Sequence, residues 1–127
     1  MNTVPKMPPN HRTVMPYLIL SDASRFLTFI VDVFQASILL KVMDEHEKIK
    51  HAEAGIGDST ICFADAPDTY LPNPTGLFLY VWDADETYHK ALQSGATALT
   101  PLQDQPYGRS GGIIDPVGNT WWITSVK

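Results

Sequence analysis

Hydrophobic and polar positions change period twice along this chain, and in the same order each time. Residues 13–20, TVMPYLIL, are β-branched, aromatic and aliphatic, the composition of a strand. Ser21 and Asp22 then offer side-chain oxygens to cap a helix start. Beyond them Phe26, Phe29, Ile30, Val33 and Phe34 fall at i, i+3, i+4, i+7 and i+8, which puts five large side chains on one helical face. Segments 36–43, 49–56 and 59–64 are short and either apolar or alternating, with polar or glycine-containing breaks between them, so three strands are expected to follow the helix. Residues 66–74 hold Pro67, Pro72 and Pro74, suit neither a helix interior nor a sheet ladder, and are assigned to a linker.

The pattern then repeats. Residues 75–82 predict a strand, and Asp83, Asp85 and Glu86 put carboxylates in the first turn of a helix, at the positive end of its dipole. Tyr88, Ala91 and Leu92 give that helix a short apolar stripe, and Gly95 supplies the left-handed residue that ends it. Strands are expected at 96–100, around 109–114 and at 120–124, with Asp115-Pro116-Val117-Gly118 turning between the last two. The order of elements predicts an α+β fold of two βαβββ modules in a single domain, 13–127. Module one spans 13–65 and module two 75–127, after a flexible N-terminal tail at 1–12.

The 127 residues are enough to bury a sizeable core, and 44% of them are hydrophobic. Nine Lys and Arg against fourteen Asp and Glu leave a net charge of -5 with no basic stripe, so no nucleic-acid partner is expected. The longest apolar runs, 29–33 and 77–82, fall far short of the roughly 18 residues that cross a bilayer, and no membrane partner is expected either. Residues 1–12 carry three prolines and no apolar run ahead of a small-residue cleavage site, which argues against a secretory signal. Cys62 is the one cysteine, an unpaired thiol that suits a reducing compartment, so a cytoplasmic location is expected.

The segment Tyr107-Gly108-Arg109-Ser110-Gly111-Gly112-Ile113-Ile114-Asp115-Pro116-Val117-Gly118-Asn119-Thr120-Trp121-Trp122-Ile123 resembles the C-terminal signature of the glyoxalase, bleomycin resistance protein and extradiol dioxygenase superfamily, also called vicinal oxygen chelate proteins. The DPxGNxWxI core is its most specific part. MPYLILSDAS, KIKHAEAGIGDS and SGATALTPLQDQPYG extend the resemblance over nearly all of 13–127, and the nearest branch is that of bacterial glyoxalase-like proteins. One departure is that Arg109 follows Gly108 directly, where relatives commonly carry an acidic residue between the two. The resemblance implies that the modules curl into a partly open, cavity-bearing sheet, and that the chain pairs as a homodimer. Metal-using members place His or Glu on cavity-facing positions of the first strand of each module and of the last strand. Those positions fall here on Met15, Leu77 and Trp122, none of which can replace such a ligand. A fourth position used by some members falls near Ile61 or Cys62. No metal and no cofactor is therefore expected.

Strand parity with Leu77 facing the cavity puts Leu79 and Val81 there too, with Phe78, Tyr80 and Trp82 against the second helix. Met15, Tyr17 and Ile19 line the cavity by the same rule, and Trp122 lines it while Trp121 packs behind. Six residues are candidate ligand contacts: Tyr17, His51, Glu53, Tyr107, Arg109 and Trp122. His51 and Glu53 share a strand face and can present a nitrogen and a carboxylate to a metal or a substrate proton; alternatively they are a strand-edge His and a nearby carboxylate. Arg109 can hold an anionic substrate, or can pin the turn by pairing with Asp115 or another carboxylate, and Tyr107 shares that ambiguity. Cys62 lies among apolar neighbours with nothing adjacent to activate it, which marks a buried small hydrophobe. His11, His46 and His89 show no ligand spacing, and no P-loop, Rossmann, zinc-cysteine or nucleophile-elbow motif occurs.

Three functional expectations follow. The first is a metal-independent small-molecule-binding protein resembling the bleomycin-resistance members, with an apolar or aromatic ligand. The second is a metal-dependent lyase, isomerase or dioxygenase with displaced ligands. The third is a member with a filled cavity that acts through its surface.

Overall fold

Each half of the chain closes in the same way, with its first strand parallel to its last. In the computed structural model, which describes residues 3–69 and 71–126, the first half comprises β1 (Tyr17–Leu20), α1 (Ala23–Phe34), β2 (Ser37–Met43), β3 (Ile49–Ile56) and β4 (Ser59–Asp65). The second comprises β5 (Gly76–Tyr80), α2 (Ala84–Gln93), β6 (Thr97–Gln105), β7 (Gly108–Ile114) and β8 (Thr120–Ser125). The sheets run β1-β4-β3-β2 and β5-β8-β7-β6, so the fold is α+β with two βαβββ modules of one topology.

Local chemistry sets the boundaries. β1 starts at Tyr17 rather than at residue 13 because Pro16 has no N–H to donate, although its carbonyl still accepts from Cys62 N at 3.0 Å. Asp22 and Asp83 cap the two helices, accepting from Arg25 N at 3.0 Å and Glu86 N at 3.1 Å. Asp65 at the end of β4 accepts from Ala23 N at 2.8 Å and Ile49 N at 2.7 Å, tying the starts of α1 and β3 together. Gly95, with φ +105°, follows α2 as its composition requires. β6 runs on to Gln105, past the expected end at residue 100, since a register shift between Thr100 and Gln103 takes Pro101 out of the ladder.

The core is shared by the modules. All five stripe residues of α1 are buried, with Leu18, Leu20 and Phe63 of the first sheet and Ile113 and Ile123 of the second in the same cluster, and the partly buried Leu77 and Leu79 packed against it. Trp121 of β8 lies 4.6 Å from the ring of Phe34 and 6.4 Å from that of Phe26, which joins the second sheet to α1. Arg25 of α1 also donates to Ser94 O at 2.7 Å, so the first helix caps the end of the second.

One face assignment is reversed. Leu77, Leu79 and Val81 pack on the core, whereas Phe78, Tyr80 and Trp82 are exposed. The cause is the parallel register of β5 on β8, which pairs Leu77 with Trp121 and Phe78 with Trp122. Paired residues share a face, so it is Phe78, one position on from Leu77, that lies on the side of Trp122.

Candidate functional site

The open face of the second sheet is aromatic. Phe78 and Tyr80 of β5 contact each other at 5.4 Å between ring centroids, and Tyr107, in the turn between β6 and β7, lies 5.9 Å from Phe78. Trp122 of β8 sits beside Phe78 in the ladder and is 38% exposed, against 2% for Trp121 on the other face. Its indole lies over two glycines. A Cβ on Gly76 of β5 would stand 3.1 Å from Trp122 Cζ3, and one on Gly112 of β7 would stand 3.5 Å from Trp122 Cδ1. With no side chain at either of these two positions, the ring spreads across the sheet instead of standing up from it. On the same face Ser110 and Thr124, the latter paired with Tyr80, join hydroxyls at 2.8 Å and are buried. Such a surface can stack a flat apolar molecule and offers it no charge.

Arg109 lies on the opposite side of β7. Its Nε and Nη2 donate to Asp85 of α2 at 2.7 and 3.0 Å, a two-pronged ion pair, and Asp104 adds a contact at 3.5 Å. The guanidinium beside Asp85 holds that carboxyl below its ordinary value, and Asp85 in turn raises the arginine. Asp115, the other partner considered, is engaged elsewhere and accepts from Val117 N, Asn119 N, Asn119 Nδ2 and Trp121 Nε1. The short turn before Arg109 is closed by Gly108, at φ +140°, where a Cβ would collide with the carbonyl oxygen of Ser125.

The open face of the first sheet carries polar chemistry. Tyr17, Glu53 and Cys62 occupy adjacent positions across β1, β3 and β4, and His51 lies two residues from Glu53 on the same strand. Glu53 is nearly covered and bonds on each oxygen, Oε1 to His11 Nε2 and Oε2 to His51 Nε2, both at 2.9 Å. Tyr17 Oη lies 3.2 Å from His51 Nδ1, with the two rings stacked. Hydrogen bonds from His51 and then His11 keep the Glu53 carboxyl below its ordinary value, while burial and then the charge of Glu53 push the Cys62 thiol up. His11 belongs to the segment assigned to a tail. Its neighbours are also engaged, with Asn10 O accepting from Thr60 Oγ1 and Arg12 donating to Asp58 O at 3.0 Å.

The structure thus brings Tyr17, His51 and Glu53 together on one sheet and sets Tyr107 and Trp122 each beside Phe78 on the other, with Arg109 apart from both. Sequence reasoning missed His11, because its partner lies 42 residues away, and Phe78 and Tyr80, because strand register decides their face. Correcting that register replaces Leu77 by Phe78 among the positions implied for a metal. Met15, Phe78 and Trp122 carry no nitrogen or carboxylate donor suited to one, so the set does not fit such a centre.

Paired βαβββ modules with two open sheet faces define a glyoxalase-type α+β protein. The chain belongs to the Glyoxalase/Bleomycin resistance protein/Dioxygenase superfamily, whose profile matches residues 10–123. An uncharacterized protein of Mycobacterium bovis is 32% identical over 118 residues, covering 84% of this chain and 78% of its own. Among solved structures, TioX from Micromonospora sp. ML1 superposes with a TM-score of 0.72 at 25% identity, over 90% of this chain and 95% of its own. The bleomycin-binding protein of Streptomyces verticillus, solved with copper(II)-bleomycin, superposes with a TM-score of 0.63 at 21% identity, over 90% and 95%. Among the described residues, no helix is long and apolar enough to cross a membrane.

Proposed function

We propose that this chain is a metal-independent small-molecule-binding protein that takes a flat apolar or aromatic ligand on the open face of its second sheet. The observation that carries the reading is Trp122 laid across Gly76 and Gly112 beside Phe78, whose ring in turn meets Tyr80 and Tyr107. Large aromatic side chains ordinarily gain by burial, and a contiguous group left in water marks a surface awaiting a partner. The bleomycin-binding protein of S. verticillus has this fold and holds its ligand in the solved complex, which accords with binding as a role for the scaffold. Binding of this kind uses stacking and desolvation and moves no proton, so the ion-paired Arg109 is a positioning residue for α2 and β7, away from the ligand.

The chain acts as a cytoplasmic homodimer in this reading. Ile38, Leu39, Leu40, Val42 and Met43 leave the edge strand β2 exposed and apolar on both faces, a surface that an isolated protomer would need to protect from indiscriminate pairing. A second reading, a metal-dependent lyase, isomerase or dioxygenase with displaced ligands, draws on the convergence of His51, Glu53 and Cys62.

Titrating the chelator-treated protein with 1-naphthol and with acridine tests the first reading. Saturable binding is expected, weakened in Trp122→Ala by the worth of one stacked aromatic pair, about 0.5–1.5 kcal/mol or roughly 2- to 13-fold. Wild-type affinity in both Trp122→Ala and Phe78→Ala would move the site off this face.

A further inference from the structure

The cluster on the first sheet converges more donors than its hydrogen bonds need. Two imidazoles, from His11 and His51, already satisfy both oxygens of Glu53. Cys62 Sγ plays no part in that arrangement, yet one ligand atom each from His51, Glu53 and Cys62 lie within 4.8 Å of one another. Tetrahedral zinc, with bonds of about 2.0–2.3 Å, keeps its ligand atoms about 3.4–3.8 Å apart, so closure asks for movements of about 1 Å. His51, the most exposed of the three, sits at the rim where such a movement is least restrained.

We propose that His51, Glu53 and Cys62 bind one divalent transition-metal ion of borderline softness, for which Zn2+ is the reference. One nitrogen, one carboxylate oxygen and one sulfur favour such an ion over Mg2+ or Ca2+, which take oxygen donors. Three protein ligands leave a fourth position for water or a small molecule. The surrounding bonds orient the set. Without metal, His51 Nε2–H donates to Glu53 Oε2 and Nδ1 accepts from Tyr17. With metal, the Nε2 lone pair goes to the ion, the ring proton moves to Nδ1 and is donated to Tyr17 Oη, and the Cys62 thiol releases its proton to solvent. His11 continues to donate to Glu53 Oε1 and keeps the carboxylate turned towards the ion. Of the three ligands only Cys62 lies near a position implied by the family resemblance; the other two come from β3. The proposal is independent of ligand binding at the aromatic face, which belongs to the other sheet.

The test uses the untagged full chain, stripped with chelator and exchanged into chelator-free buffer. Added Co2+ is expected to bind at one equivalent with a thiolate-to-cobalt charge-transfer band in the near ultraviolet, and Zn2+ to displace it. Cys62→Ser removes the band, with circular dichroism confirming the fold. His51→Ala and Glu53→Gln, at less buried positions, weaken binding at least tenfold, and Tyr17→Phe and His11→Ala by about 10- to 100-fold, as loss of an outer partner does. Absence of the band at excess Co2+ would overturn the proposal, and so would a band whose affinity is unchanged in both His51→Ala and Glu53→Gln.

Discussion

Asp115 shows how much of this fold rests on single side chains. Its carboxylate is buried and accepts from two backbone amides and from the side chains of Asn119 and Trp121, at 2.8–3.0 Å. Asn119, itself buried, also accepts from Thr75 N at 3.0 Å and so fastens the linker end to the turn. The DPxGN run is therefore a structural knot that sets Trp121 into the core and leaves its neighbour Trp122 outward. Asp115→Ala strands the buried donors of Asn119 and Trp121, each costing about 1–3 kcal/mol. Chemical denaturation is expected to show a loss on the order of 3 kcal/mol or more, together with a near-ultraviolet dichroism change from the freed Trp121. The sequence announces the turn through Asp115, Pro116 and Gly118, but the bond to Trp121 depends on how β8 leaves that turn. Cys62 presents the reverse case: its burial was legible from Ile61 and Phe63, whereas its closeness to His51 and Glu53 required the β3–β4 register.

At the scale of elements, α1 followed its hydrophobic period closely because five large residues on one face have only one way to be buried. Phe29, fully buried and packed edge-on to Phe34, is expected to cost about 3–5 kcal/mol when cut to Ala, measured by urea denaturation. β5 was harder to place. Leu77, Phe78, Leu79 and Tyr80 are all large, so alternation gave no polar face to fix the strand, and only pairing with β8 settles which pair looks outward. Arg109 and Asp85 join β7 to α2, a contact between elements that local spacing did not reveal. Asp85 has a folded value below its unfolded one. Its contribution to stability is thus fully present above the ordinary aspartate range and is lost as pH falls through the lower folded value. Thermal melts of Asp85→Asn are expected to decline less steeply than wild type on the acid side, by an amount that salt reduces because the pair is half exposed. Identical acid limbs would mean that the pair contributes nothing.

For the whole molecule, the repeat of two βαβββ modules was legible because element order survives even where the halves share little sequence. The relation between the modules was not, since it depends on Trp121 meeting Phe26 and Phe34 across them. Two open sheet faces result, one aromatic and one holding His51 and Glu53, and the apolar edge of β2 borders the second of these through the pairs Leu40–Glu53 and Val42–His51. Light scattering on the purified chain is expected to give the mass of two protomers, and Leu40→Lys to shift it towards one. The central claim is that the aromatic face receives a ligand without metal. Its most direct test follows the three tryptophan indole N–H resonances by NMR while 1-naphthol is added in the presence of chelator. A saturable shift of Trp122, with the Trp121 indole held by Asp115 and nearly unmoved, is the predicted result. A Trp122 resonance that stays still, or that moves only once a divalent ion is supplied, would contradict it.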